Sequence, residues 1–219
     1  MKKSKKIIFQ NTLFWENFYK KDSLIYKPSS FAKFIKKKFI NKEIKTLLDI
    51  GCGNGRDTFY FSKYVKDILS IDNSRQAIIQ NKNNKRVKNN IAFVKKNILN
   101  GLGVFVKKID LVYARFFLHT INYRNEDIFL KILKKISNKT TIVALEFRTT
   151  KDQLFQKGIK ISTNEGLTDH YRRFVDVSDF LKKLNKLNFK IVYLKQSTNL
   201  SKYKNDNPHL CRVVFKNVK

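Results

Sequence analysis

The stretch Leu47-Leu48-Asp49-Ile50-Gly51-Cys52-Gly53-Asn54-Gly55-Arg56-Asp57 restricts the fold of this chain more than any other, because an apolar strand runs straight into three alternating glycines. Glycine at every second position removes the Cβ atoms that would keep backbone away from a ligand, and it permits the positive φ of a tight strand-to-helix turn. The pattern predicts an open α/β sheet with a nucleotide-like ligand at the strand end. A dinucleotide is disfavoured. That site needs Gly-x-Gly-x-x-Gly and a helix N-terminus aimed at a pyrophosphate, whereas here the third glycine is missing and Asp57 brings negative charge to the helix start.

The stretch resembles the Asp-x-Gly-x-Gly-x-Gly signature of class I S-adenosylmethionine (SAM) dependent methyltransferases. The resemblance implies a Rossmann-like, doubly wound α/β fold with a seven-stranded sheet, mostly parallel, with an antiparallel last strand and helices on both faces. It also implies SAM as cofactor, S-adenosylhomocysteine (SAH) as product, and Asp49, Gly51, Gly53, Gly55 and Arg56 among the cofactor contacts. Acidic Asp49 and Asp57 suit a sulfonium and an ammonium group. Residues 67–74 read as a second strand ending in Asp72, about 20 positions after the glycine loop, where a carboxylate serves a ribose diol. Asn73 lies beside it, and Ser74 reads as the N-cap of the next helix. A third run, residues 90–98, ends in Asn97 and Ile98, where the family places adenine.

A fourth strand signal, residues 108–119, breaks into polar and aromatic residues at its end. In an open sheet, ligands sit outside the carboxyl ends of the strands, which brings Tyr113, Arg115 and His119 near the crevice. Arg115 is expected on the cofactor or in a salt bridge closing the strand. His119 is a candidate base, or a packed histidine opening a helix. Beyond the fifth strand, Thr141 to Arg148, comes a connection of 28 residues (148–175), long for an αβ unit. It is expected to cap the acceptor. Arg148, Tyr171, Arg172 and Arg173 are its candidate substrate ligands, and His119 or His170, oriented by Glu146 or Asp169, its candidate catalytic groups.

Two further resemblances refine the expectation. Trp15, Tyr19 and the Pro28-Ser29-Ser30 segment are similar to small-molecule methyltransferases of the tellurite-resistance and thiopurine kind, which implies an aromatic lid over SAM. The Glu-Phe-Arg and His-Tyr-Arg-Arg-Phe elements, with Tyr203, His209 and Arg212, resemble methyltransferases associated with bacterial surface polysaccharides. The implied acceptor is a small, anionic or hydroxyl-bearing sugar-like precursor.

With 219 residues, one domain accounts for the chain: an N-terminal helical lid (1–42), a SAM-binding core (43–147), a substrate-capping insertion (148–175) and a closing helix with an antiparallel strand pair (176–219). Cys52 and Cys211 give neither a disulfide framework nor metal spacing, so no metal is expected. No apolar run reaches the eighteen or so residues of a membrane span, and the basic amino terminus lacks a cleavage site, which points to the cytoplasm. The net charge of +30 raises an RNA methyltransferase as the alternative. Against it, 38 lysines outnumber 9 arginines and are spread along the whole chain. A scaffold that no longer binds SAM is a third reading, disfavoured by the intact glycine loop. The sequence fixes no oligomeric state.

Overall fold

The computed structural model describes residues 2–20, 27–103 and 108–218. Two helices lead, α1 (Lys2–Phe18) and α2 (Ser30–Phe39), and alternation follows: β1 (Thr46–Ile50), α3 (Arg56–Phe61), β2 (Asp67–Asp72), α4 (Arg75–Lys82), β3 (Ile91–Lys95), β4 (Leu111–Arg115), α5 (Tyr123–Ile136) and β5 (Ile142–Arg148). Three short strands come next, β6 (Ile159–Ser162), β7 (Glu165–Leu167) and β8 (Tyr171–Arg173). The chain closes with α6 (Val177–Lys186), β9 (Phe189–Ser197) and β10 (Leu210–Asn217).

The main sheet has the order β3-β2-β1-β4-β5-β10-β9. β1 to β5 pair in parallel, and β10 inserts antiparallel between β5 and β9. The expected seven strands and antiparallel last strand are both present. Because strand side chains alternate, neighbouring residues serve opposite faces. Leu48, Val112, Val143 and Val213 join Phe129, Leu133, Phe180 and Leu184 of α5 and α6. Leu47, Leu111, Ala144 and Val214 join Phe31, Ile35 and Phe61 of α2 and α3. Strands apolar on both faces need helices on both faces.

The N-terminal segment divides: α2, with Phe31, Ala32 and Ile35 fully buried, is core and meets the cavity only at its start, through Ser29 and Ser30, whereas α1 lies along the cavity with Asn11, Thr12, Trp15 and Phe18. The cap of α6 is Asp176, whose side chain accepts from the Asp179 amide. Ser74 caps α4 as its sequence context predicts, and Ser29 caps α2. The long connection is ordered as an antiparallel three-stranded sheet, β6-β7-β8. It is fastened to the main body by Arg173, which β8 sends inward to Glu126 of α5 and to the Ile121 carbonyl. No helix among the described residues is long and apolar enough to cross a membrane.

Candidate active site

After β1 the chain turns through Gly51, Gly53 and Gly55 at φ of 70°, 54° and 70°. A Cβ on Gly53 would stand 2.5 Å from the Tyr19 hydroxyl, and one on Gly55 would stand 2.7 Å from Asn81 Oδ1. The loop is held from behind. Asn81 Nδ2 donates to the Gly53 carbonyl at 2.7 Å. Asp72, at the end of β2, accepts from the Gly53 amide at 2.9 Å and the Ser74 amide at 2.8 Å.

Two carboxylates dominate the electrostatics here. Burial pushes Asp49 up to about 8, against the hydrogen bond it accepts from Thr58 Oγ1 at 2.6 Å. Burial raises Asp72 too, against its backbone hydrogen bonds. Neither has an ion-pair partner among the described residues, so a bound cation would favour the ionised form of both. Asp57 is used differently: it accepts from the Ser29 amide, the Ser29 hydroxyl and the Tyr113 hydroxyl, each at 2.7 Å, and so ties the start of α2 to the start of α3. Arg56 and Arg115 both face this region. Burial and the neighbouring Arg115 lower the Arg56 pKa, while Arg115 is itself bonded through Nε to Glu146 at 2.8 Å.

Helix α1 supplies the opposite wall. Trp15 and Tyr19 stack at 6.0 Å, as their i, i+4 spacing requires. Phe14 stacks on His170 at 4.1 Å, and Asn11 Nδ2 donates to the Thr120 carbonyl at 3.1 Å. Between these walls lies a cavity of about 1460 Å³. That exceeds the usual 300–1,000 Å³ of a single-ligand site and has room for two ligands.

Of the expected cofactor residues, Trp15, Tyr19, Asp49, Gly51, Gly53, Arg56, Asp72, Asn73, Asn97, Ile98 and Arg115 all line this cavity. Gly55 does not; it gives α3 its left-handed N-cap. Tyr171 is the one expected substrate ligand on the wall. The three arginines expected to hold an anion lie off it, each engaged with a carboxylate: Arg148 with Asp152 and Asp206, Arg172 with Asp169, Arg173 with Glu126.

The four expected catalytic groups also lie off the wall. Glu146 is 1% exposed and accepts from Arg115, from Arg212 Nε at 2.6 Å and from Ser201 Oγ at 3.0 Å, which makes it the hub of an ion cluster. His119 is buried beside Phe116, its pKa held well below the usual value by burial and by Arg148. His170 is brought down to about 4 by burial and Arg172, despite Asp169. For Asp169, burial is outweighed by hydrogen bonds from Arg172 and Thr168, and its carboxyl stays ionised far into acid.

Several further residues complete the wall. Phe116, at φ 58°, turns the chain out of β4 with its ring 4.0 Å from the Arg115 guanidinium. A non-glycine residue held there is the kind of strain that collects at functional sites. Asn199, Leu200 and Ser201 of the β9–β10 loop close one side. Glu165 of β7 lies on the wall, accepts from the Tyr123 amide at 3.2 Å and has no ion-pair partner among the described residues. Its signal was available: an acid beside a glycine in the long connection.

Residues 41–170 match the family described as methyltransferase domain. No curated protein matches the chain. Among solved structures, the fold is similar to a SAM-dependent methyltransferase from Anabaena variabilis, with a TM-score of 0.70 and 16% identity over 96% of this chain and 95% of that one. It is similar also to DhpI in complex with SAH, at TM-score 0.67 and 12% identity over 97% and 98% of the two chains. A TehB-like SAM-dependent methyltransferase from Corynebacterium glutamicum aligns at TM-score 0.62 and 16% identity over 86% and 88%.

Proposed function

Given that the chain belongs to the methyltransferase-domain family, we propose that it binds SAM in the glycine-loop half of the cavity and methylates a small hydroxyl-bearing, sugar-like acceptor in the other half. The observation that carries this reading is the pairing of Asp49 and Asp72 with a glycine loop on one wall of a two-ligand cavity. Asp72 has lone pairs left for a ribose diol, Asp49 faces the ammonium end, and Asn97 and Ile98 border the adenine. The cofactor supplies an electrophilic methyl group on sulfonium. The protein's work is to align the acceptor oxygen with it, exclude water with α1, and take the acceptor's proton.

Glu165 is the group we assign to that proton. Its carboxylate borders the acceptor half, and the neighbouring Tyr171 hydroxyl, whose pKa burial and Glu165 raise, stays protonated as a donor beside it. His119 and His170 stand behind the wall instead. An anionic acceptor has less support than a neutral one, because Arg148, Arg172 and Arg173 already hold carboxylates. Isothermal titration with SAH tests the cofactor half. Saturable one-to-one binding that weakens in Asp72→Ala is expected; no heat and no retention in equilibrium dialysis at millimolar ligand would overturn the reading.

A further inference from the structure

Glu16, on the face of α1 turned toward α4, makes three hydrogen bonds to another element. Its Oε2 accepts from Ser74 Oγ at 2.9 Å and from the Gln76 amide at 2.9 Å, and its Oε1 accepts from the Arg75 amide at 2.7 Å. Those three residues open α4, immediately after Asp72 and Asn73 on the cavity wall. A carboxylate here meets unpaired amides and the positive end of the helix dipole. Burial alone would raise the Glu16 pKa, yet these amides, Ser74 and Lys95 bring it below the ordinary value.

The helix α4 does not need Glu16 for its own integrity, since Ser74 Oγ already accepts from the Ala77 amide as its N-cap. What depends on Glu16 is the seat of α1. One residue before it, Trp15 lines the cavity. Three residues after it, Tyr19 lies against Gly53 with its hydroxyl where a side chain on that glycine would have to go. Elsewhere along α1, Asn11 Nδ2 donates to the Thr120 carbonyl.

We infer that Glu16 is a positioning residue that clamps α1 onto the start of α4 and thereby sets how fast SAM and SAH enter and leave. This rests on the SAM reading above. A ligand seated on Asp72 has the glycine loop on one side and Trp15 and Tyr19 on the other, so its exchange requires α1 to lift. Lifting α1 breaks three charge-assisted hydrogen bonds, the strong kind.

The test compares wild type, Glu16→Ala and Glu16→Asp in SAH binding by titration calorimetry and in SAH release by stopped-flow displacement with excess SAM. Glu16→Ala is expected to release SAH about tenfold faster or more, given the strength of hydrogen bonds to charged groups. The ligand-free variant should remain folded at the assay temperature with a cooperative melting transition, which shows that faster release does not come from unfolding, and Glu16→Asp should recover part of the loss. Added salt should accelerate release in wild type and have little effect in Glu16→Ala, because only the former loses a screened charge interaction. An SAH release rate within twofold of wild type in Glu16→Ala would overturn the inference, as would equal salt dependence in the two proteins. Absence of SAH binding in wild type would overturn the cofactor reading itself, which separates the two failures.

Discussion

Replacing Glu146 by alanine separates a structural role from a chemical one. The Glu146 carboxylate is 1% exposed and compensates two guanidiniums, with Arg115 Nε at 2.8 Å and Arg212 Nε at 2.6 Å, while Ser201 Oγ donates at 3.0 Å. Arg212 also donates to the Leu200 carbonyl and the Ser30 hydroxyl, each at 2.8 Å, so the cluster binds β5, β10, the β9–β10 loop and α2 together. Removing the acid leaves two cations in a low-dielectric interior. Breaking a buried pair in this way costs about 3–5 kcal/mol. At about 2–4 °C per kcal/mol for a domain of this size, Glu146→Ala should melt about 6–20 °C below wild type. Calorimetric melting is the assay, with SAH binding measured well below the transition to score what remains folded. Glu146→Gln should recover little, since an amide restores no charge. A melting temperature within about 2 °C of wild type, combined with lost methyl transfer, would refute this reasoning and return Glu146 to the reaction.

Two other outcomes follow from the titrating groups. Because burial holds Asp49 near 8, it is mostly protonated at pH 7 without ligand, and an ammonium group beside it should ionise it. SAH binding at pH 7 should therefore release a proton, read as a binding enthalpy that changes with the ionisation heat of the buffer; a buffer-independent enthalpy would refute this. His170 titrates near 4 in the folded chain and near 6.5 when unfolded, so the unfolded state takes up the proton first as pH falls between those values. Stability should fall across that window by up to about 3 kcal/mol. The fall should be shallower in His170→Phe, which keeps a ring against Phe14; parallel curves in denaturant titrations would count against a buried neutral imidazole.

What the sequence made legible was what the local chain decides. Gly51, Gly53 and Gly55 announce the positive φ values they adopt, Ser74 announces the cap of α4, and Asp72, placed by its distance from the glycines, lies on the cavity wall. What stayed hidden depends on partners far along the chain. Arg173 reads as a loop cation until Glu126 is found beside it, and Glu146 reads as a free strand-end acid until Arg212 arrives from β10. Strand polarity puts Arg115 near the crevice, but nothing local announces that the next residue, Phe116, turns the chain outward at φ 58°. Sequence proximity in the Asp169 to Arg173 cluster was also misleading. Successive residues of β8 point to opposite sides, so Tyr171 reaches the cavity wall while Arg172 is held by Asp169.

The acids, and not the far more numerous lysines, carry the functional information in this chain. Only 17 residues are Asp or Glu against 47 Lys and Arg, and the described acids crowd the site: Asp49, Asp57, Asp72, Glu165 and Asp206 line the cavity. Glu146, Asp152 and Asp169 neutralise arginines just behind it. In so basic a chain a carboxylate scattered at random would find a lysine partner at the surface, where such pairs contribute little. Asp49, Asp72 and Glu165 instead stand on the wall with no ion-pair partner among the described residues, two of them raised in pKa by burial. A buried acid held that way is costly unless a ligand repays it with positive charge or donated hydrogen bonds. The cofactor half offers the first in a sulfonium and an ammonium. Under the function proposed above, the half of the cavity where Glu165 lies near Tyr171 would take a hydroxyl that can give up its proton, and an acceptor bearing a carboxylate or phosphate beside Glu165 would be the poorer match.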